Sequence, residues 1–283
     1  MKTTKLLALL FVIALMTSCN TQTVPPGAEN SSQMTFTISE APFDTSEPTQ
    51  LGIEMGGGKL FLAGGTDKLV EGTVVVNHEL QQPAAIRENN SLTLKQQRPD
   101  STLSIPREKY INNWDIKVGT VPIDLSITAG AYEGVMELGG LALTNLTVAD
   151  GASTSSIKFS HPNAAEMSLL SYKTGASTTK VEGLGNAHVE TVDFTGGVGN
   201  FLFDFTGENL ADMDVFIDSG MSSITIVIPA NARSEITIAG DMNNVDISGT
   251  WTVDNNLYQS GSKGPLIKIL LDVGFGDLKF VQK

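Results

Sequence analysis

The sequence predicts an all-β fold: a single-stranded parallel β-solenoid of about eight rungs with an irregular N-terminal cap. Three observations support this prediction. Glycines recur at near-constant spacing, apolar residues keep fixed positions relative to them, and no segment shows a helical period. Hydrophobic residues make up 41% and charged residues 17% of the 283 residues, which is enough for a sizeable core. We call each repeat a rung and its recurring glycine the anchor.

Eight anchor positions can be aligned, and those from Gly130 to Gly220 are spaced by 21–24 residues. The anchors are Gly56, Gly130, Gly151, Gly175, Gly197, Gly220, Asp241 and Gly274. Every copy is apolar five and three residues before the anchor and six residues after it. Polar residues alternate with these positions, which predicts two β-strands joined by a tight turn. The anchor glycine is expected to supply a positive φ at this turn, which Asp241 also tolerates.

A single rung cannot bury its apolar face alone. Copies stacked about 4.8 Å apart bury their apolar columns against each other and pair their backbone edges. The repeat therefore predicts one solenoid domain over residues 35–283.

The N-terminus has the layout of a secretory signal. Lys2 and Lys5 precede an apolar run over residues 6–16, which is too short to span a membrane comfortably. The run leads into Met16-Thr17-Ser18-Cys19, which contains the only cysteine of the chain and resembles a bacterial lipobox. Cys19 is therefore the predicted lipid attachment site, and an ordinary signal peptide with an incidental cysteine is the alternative.

These features predict a signal peptide over residues 1–18 and a flexible lipidated tether over residues 19–34. The expected location is the bacterial cell envelope, on the outer membrane rather than the inner one. The net charge of −13 repels anionic headgroups, so the lipid is expected to hold the protein at the membrane.

Two regions interrupt the period. Residues 63–122 contain strand-like segments but no regular rung, and they predict a cap over an exposed solenoid end. Residues 250–265 form a polar inserted loop that carries Trp251 and Tyr258. These two aromatics are candidate partner contacts, because loops inserted between rungs collect on one face. The alternative is that both pack onto the adjoining rung.

The repeat resembles the toast-rack domain family, which includes LiaF-like regulators of the cell-wall-stress response and bacterial membrane proteins. The motifs that carry the resemblance cover roughly residues 51–280. They are Trp114-Asp115-Ile116, Pro122, Gly130-Ala131, Gly151-Ala152, Gly175-Ala176, Gly197-Val198-Gly199 and Gly274-Phe275-Gly276. The turn motif has decayed at Gly220-Met221-Ser222 and at Asp241-Met242. The resemblance implies a non-enzymatic envelope module, and it transfers no catalytic residue.

Composition and spacing argue against several chemistries, and no cofactor or metal is expected. The negative charge disfavours nucleic acid, and the three histidines lack a metal-ligand spacing. Ser155 with Lys158, and Ser177 with Lys180, mimic penicillin-binding motifs. Those motifs require a helix that carries the serine, whereas these serines lie in predicted turns and strands.

Three carboxylates, those of Asp193, Asp204 and Asp218, keep open the alternative of a carbohydrate-active β-helix enzyme, which needs two carboxyl groups on one sugar bond. A surface adhesin is a third alternative. The favoured prediction is a lipid-anchored interaction or sensing module. Its expected partners are the membrane, through the lipid, and an envelope protein or a cell-wall glycan.

Overall fold

The computed structural model describes residues 33–78, 81–97, 110–208, 210–240 and 243–283, so Cys19 and the Asp241 anchor lie outside the described residues. The described chain forms one 16-stranded sheet and includes a short 3-10 helix, Leu184–Asn186. The strands, numbered in chain order, are β1 (Met34–Glu40), β2 (Thr49–Gly64), β3 (Val70–Val76), β4 (Pro83–Glu88), β5 (Ser91–Gln96), β6 (Asn112–Val118), β7 (Ile123–Glu137), β8 (Leu143–Lys158), β9 (Met167–Glu182), β10 (Val189–Asp204), β11 (Met213–Ile228), β12 (Arg233–Ala239), β13 (Asn243–Ser248), β14 (Thr252–Asp254), β15 (Leu257–Ser260) and β16 (Leu266–Gln282).

Seven long strands of 15–17 residues form the body: β2, β7 to β11 and β16. They pair in parallel in that order, one strand to a rung. The predicted apolar columns lie in register across these pairs and are buried, which confirms the solenoid. The column five residues before the anchor, for example, runs Leu51, Leu125, Leu146, Leu170, Val192, Val215, Ile269 and Ile236.

The prediction of two strands joined by a tight turn at the anchor is wrong. Each rung is one continuous strand that bends sharply at its anchor into two arms. In β10 the rings of Phe194 and Phe203 lie 5.0 Å apart. Nine residues of straight strand would separate them by roughly 30 Å, so the strand folds back on itself between them. The inward–outward alternation slips at the bend, where Gly197 and Val198 both face outward.

The prediction of a positive φ at the anchors is also wrong, because none of the seven described anchor glycines has φ in the left-handed region. Glycine is needed there because the bends of successive rungs almost touch. A Cβ atom built on Gly130, Gly151, Gly175, Gly197, Gly220 or Gly274 would lie 2.3–2.9 Å from the anchor carbonyl oxygen of the neighbouring rung. Ordinary van der Waals contact begins near 3.4 Å.

The N-terminal end is a cap, as predicted. β5 and β6 pair in parallel with the two arms of β2 and so form a divided rung. Antiparallel strands then cover this rung: β4 lies on β5, β3 lies on β6, and β1 lies on β3. Inside the cap, Gln96 accepts a hydrogen bond from the Gly56 N–H at 2.8 Å, and the Trp114 indole donates to Asn112 at 2.8 Å.

The rung order at the C-terminal end differs from the sequence order. β16, the last strand of the chain, lies between β11 and the divided rung formed by β12 and β13. The inserted loop over residues 250–265 contributes a hairpin of β14 and β15, whose second strand pairs antiparallel with β12. The hairpin therefore covers one arm of the terminal rung.

Candidate functional site

The two carboxylates of β10 lie on opposite surfaces. Asp193 precedes the inward-facing Phe194, and Asp204 follows the inward-facing Phe203. The two phenylalanine rings meet across the core. The two aspartate side chains therefore point outward on opposite arms, and one sugar bond cannot lie between them. Asp218 lies on the neighbouring strand, on the arm that carries Asp193, and is exposed to solvent. The register pairs Asp193 with Phe216 and Thr195 with Asp218, so Asp193 and Asp218 lie on the same outer face two positions apart, whereas Asp204 lies on the other arm.

The serine–lysine pairs also separate. Ser155 and Ser177 are buried, whereas Lys158 and Lys180, three positions further on, face solvent. An odd spacing along a strand places two side chains on opposite faces. Neither lysine can therefore act as a base for its serine.

A polar cluster that the sequence analysis missed lies inside the bends of β8 and β9. Asp150 accepts hydrogen bonds from the Tyr172 hydroxyl at 2.7 Å, from Thr174 at 2.6 Å and from Ser153 at 3.0 Å. The Ser155 hydroxyl lies 2.7 Å from that of Tyr172. Burial raises the pKa of the Tyr172 phenol, so the phenol stays protonated and donates. We call these five residues the Asp150 cluster, and it connects two neighbouring rungs.

Tyr132 lies one rung before this cluster and is buried without a hydrogen-bond partner for its hydroxyl. Burial raises the pKa of this phenol strongly. The described interior at these bends thus holds protonated phenols and a carboxylate that accepts three hydrogen bonds. Within the described residues, the hydrogen bonds of the Asp150 cluster therefore join two neighbouring rungs.

The aromatics of the inserted loop pack onto the rung beside them. The ring centroids of Trp251 and Tyr258 lie 5.9 Å and 5.2 Å from that of Phe280 on β16. The Trp251 indole donates to the Ser248 carbonyl at 3.0 Å. Both side chains therefore seal the C-terminal end of the core. Each stays half-buried, and their role as partner contacts remains a prediction.

A cleft of about 550 Å³ opens beside this hairpin. Both ends of β16 reach it, because the two arms of the strand fold back toward the same side. Most of the residues that line it are polar, and they include Arg233, Glu235, Thr250, Thr252, Gln259 and Gln282. We call this the C-terminal cleft.

Across the residues that the structure describes, no three His, Cys, Asp or Glu side chains are grouped so that they could hold a metal ion. In the same residues no helix is long and apolar enough to cross a membrane.

The fold is a stack of bent strands that pair in parallel, one strand to a rung. The family described as "N-terminal domain of toast_rack, DUF2154" matches residues 27–182, more than half of the chain. The chain belongs to this toast-rack family. The sequence matches no curated protein.

Several solved structures are similar over most of their length. A candidate cell adhesion protein from Clostridium sporogenes ATCC 15579 is 17% identical, with 89% of this chain and 100% of that chain covered and a TM-score of 0.47. A candidate adhesin from Bacteroides fragilis NCTC 9343 is 14% identical, with coverages of 88% and 97% and a TM-score of 0.44. A candidate lipid binding protein from Parabacteroides distasonis ATCC 8503 is 15% identical, with coverages of 88% and 97% and a TM-score of 0.32.

Proposed function

We propose that the protein is a non-enzymatic interaction module of the bacterial cell envelope, held at the membrane by a lipid on Cys19. The C-terminal cleft is the observation that carries this proposal. Its volume of about 550 Å³ falls in the range of small-molecule sites, and its polar groups converge from four strands, β12, β14, β15 and β16, and from the loops on either side of the hairpin. We propose a cell-wall glycan as its ligand.

Part of the hydrogen-bonding capacity of the cleft is left for a ligand. Gln282 accepts from the Thr250 N–H at 3.1 Å, which leaves its amide nitrogen to donate. Gln259 donates to Glu235 at 3.3 Å, and Arg233 uses its Nε toward the Gly264 carbonyl at 3.0 Å. The terminal guanidinium nitrogens of Arg233 are thus available as donors. Amide, guanidinium and hydroxyl groups suit a polyhydroxylated ligand, because each sugar hydroxyl both donates and accepts.

The arrangement of carboxylates supports binding without turnover. Hydrolysis of a glycosidic bond needs two carboxyl groups on the two sides of that bond. The cleft is lined by one carboxylate, that of Glu235, and Asp193 and Asp204 face away from each other on β10.

The test is a binding measurement with soluble peptidoglycan fragments, neutral glycans and uronic-acid polymers on the full chain in detergent. Replacing a cleft donor, as in Gln282→Ala, should weaken glycan binding about fivefold, the worth of one hydrogen bond. The matched control is Glu88→Ala, in a cleft of similar size at the opposite end of the domain. Equal affinity of the two variants would place the ligand elsewhere. Turnover that is lost in Asp193→Asn, Asp204→Asn or Asp218→Asn would overturn the non-enzymatic proposal.

A further inference from the structure

Three exposed apolar side chains form a continuous row along the bends of the solenoid. Val198, Met221 and Phe275 each follow the anchor glycine of their strand, and they pair in register across β10, β11 and β16. Each is more than half exposed, at 54%, 56% and 54%. We call this row the apolar ridge. Single exposed apolar residues are ordinary, but a contiguous row on a protruding edge is typical of an interaction site.

The ridge is confined to one half of the domain. The same position in the three preceding rungs is occupied by Ala131, Ala152 and Ala176, all exposed. The fold therefore accepts a methyl group at this position, and the larger side chains are not needed to pack the core. What the sequence analysis described as a decayed turn motif at Met221 is a change from a flat edge to a raised apolar one.

Carboxylates flank the apolar ridge on both sides. Asp218 and Asp272 pair in register on the arm before the bend, and Asp277 lies two residues beyond Phe275 on the arm after it. Asp218 and Asp272 have neither a hydrogen bond nor an ion pair in the described structure. The ion pairs found among the described residues all lie between residues 40 and 133. Residues 189–283 contain 13 acidic and 5 basic residues, so the charge around the ridge is not balanced locally.

We infer that the apolar ridge docks a cationic amphipathic helix of a partner protein. Neighbouring rungs are about 4.8 Å apart, close to the 5.4 Å between successive turns of a helix, so apolar residues on one helix face can follow the ridge. Lysine or arginine residues beside that apolar face would then meet Asp218 and Asp272 on one side and Asp277 on the other.

The carboxylates beside the apolar ridge disfavour a second copy of this chain and an anionic membrane as its occupants. Packing two ridges of identical chains would bring these carboxylates close to their own copies in a molecule whose net charge is already −13. An anionic membrane surface would be repelled for the same reason. A cationic partner neutralises the flanking carboxylates while its apolar face covers the ridge.

This inference rests on the proposed interaction role but uses a separate surface. The C-terminal cleft lies at the two ends of β16, where Leu266 and Gln282 line it, whereas Phe275 lies at the bend in the middle of that strand. The two surfaces can therefore be tested independently on one protein.

The probe is a synthetic 18-residue helix of leucine and lysine with one apolar face, labelled for fluorescence anisotropy. Wild-type full-length protein in detergent should bind it, with affinity falling at least tenfold between 50 and 300 mM salt. Met221→Ser, at an exposed site, should weaken binding about tenfold, and Asp218→Asn combined with Asp272→Asn should weaken it and flatten the salt dependence. The matched control is Phe61→Ser, an apolar residue 44% exposed on β2, beside the Lys59–Glu133 ion pair.

Two peptide controls isolate the chemistry: a scrambled peptide of the same composition, and a leucine–glutamate version. Equal binding of either, or equal losses in Met221→Ser and Phe61→Ser, would overturn the inference. The inference would also be overturned if the wild-type protein formed a dimer in sedimentation, or floated with phosphatidylglycerol vesicles, and Met221→Ser abolished that behaviour. Peptide binding should survive in Gln282→Ala and glycan binding in Met221→Ser, so failure of one proposal is distinguishable from failure of the other.

Discussion

Replacing anchor glycines by alanine tests the cause of the glycine repeat. An added Cβ would approach the anchor carbonyl oxygen of the neighbouring rung to 2.9 Å at Gly151, 2.6 Å at Gly175 and 2.3 Å at Gly197. Because this contact depends on the spacing of rungs rather than on φ, the three substitutions should differ in a fixed order. Gly151→Ala should be the mildest and Gly197→Ala the most damaging.

The size of the effect follows from the displacement that relieves the contact. At Gly175 the Cβ must move about 0.8 Å to reach ordinary van der Waals distance from the oxygen, which forces the two bends apart. Ladder hydrogen bonds near 2.9 Å would stretch beyond about 3.2 Å, where they weaken. Losing two or three such bonds costs about 2–3 kcal/mol, and Gly175→Val should cost more because valine is branched.

The assay is thermal unfolding followed by circular dichroism. For a domain of this size, a loss of about 2–3 kcal/mol lowers Tm by roughly 5–10 °C. The matched control is Ala176→Val, the exposed neighbour of Gly175, which should change stability by less than about 0.5 kcal/mol. Equal losses in Ala176→Val and Gly175→Ala, or a series that ignores the order of the three distances, would refute the close-contact reasoning.

Three further predictions concern the interior and the N-terminus. Tyr172→Phe removes a hydroxyl that donates to Asp150 and pairs with Ser155, so it should lower the free energy of unfolding in urea by about 1–3 kcal/mol. Tyr132→Phe removes a buried hydroxyl without a hydrogen-bond partner, so it should leave that free energy unchanged or raise it. Burial raises the pKa of both phenols above the ordinary value of 10. The contribution of the two phenols to the free energy of unfolding is therefore complete below about pH 10 and is lost as the pH rises further. The free energy of unfolding, measured from pH 8 to 11, should fall less steeply in either Phe variant than in the wild type. Cys19→Ala should leave an unprocessed precursor that does not incorporate palmitate, and a wild-type protein that remains unlabelled and freely soluble contradicts lipidation.

The core was predictable because strand periodicity is directly visible in the sequence. Leu125, Leu146 and Leu170 occupy one column of the alignment, and the structure pairs them in register. The rung order was not predictable, because the same periodicity repeats in every rung. Ile236 and Ile269 fill the same column with the same residue type, so side-chain pattern alone cannot tell which of them lies beside Val215.

The candidate sites were less predictable, because they depend on neighbours from other rungs. Tyr172 occupies an apolar column, and nothing in its own rung indicates that its hydroxyl donates a hydrogen bond to Asp150 of the preceding rung. A usable signal was present in Asp150 and Thr174, which occupy the inward position just before the anchor where Ala129 and Val273 stand in other rungs. The C-terminal cleft required the swapped order of β16, which the sequence does not encode locally.

The claim that this protein binds without catalysing is tested most directly by calorimetric titration with defined peptidoglycan fragments, followed by mass spectrometry of the recovered ligand. We predict a saturable heat of binding, weakened in Gln282→Ala and unchanged in Glu88→Ala, with every fragment recovered intact. Continuous heat after saturation, accompanied by cleaved fragments, would contradict the proposal and identify the protein as a glycan-active enzyme.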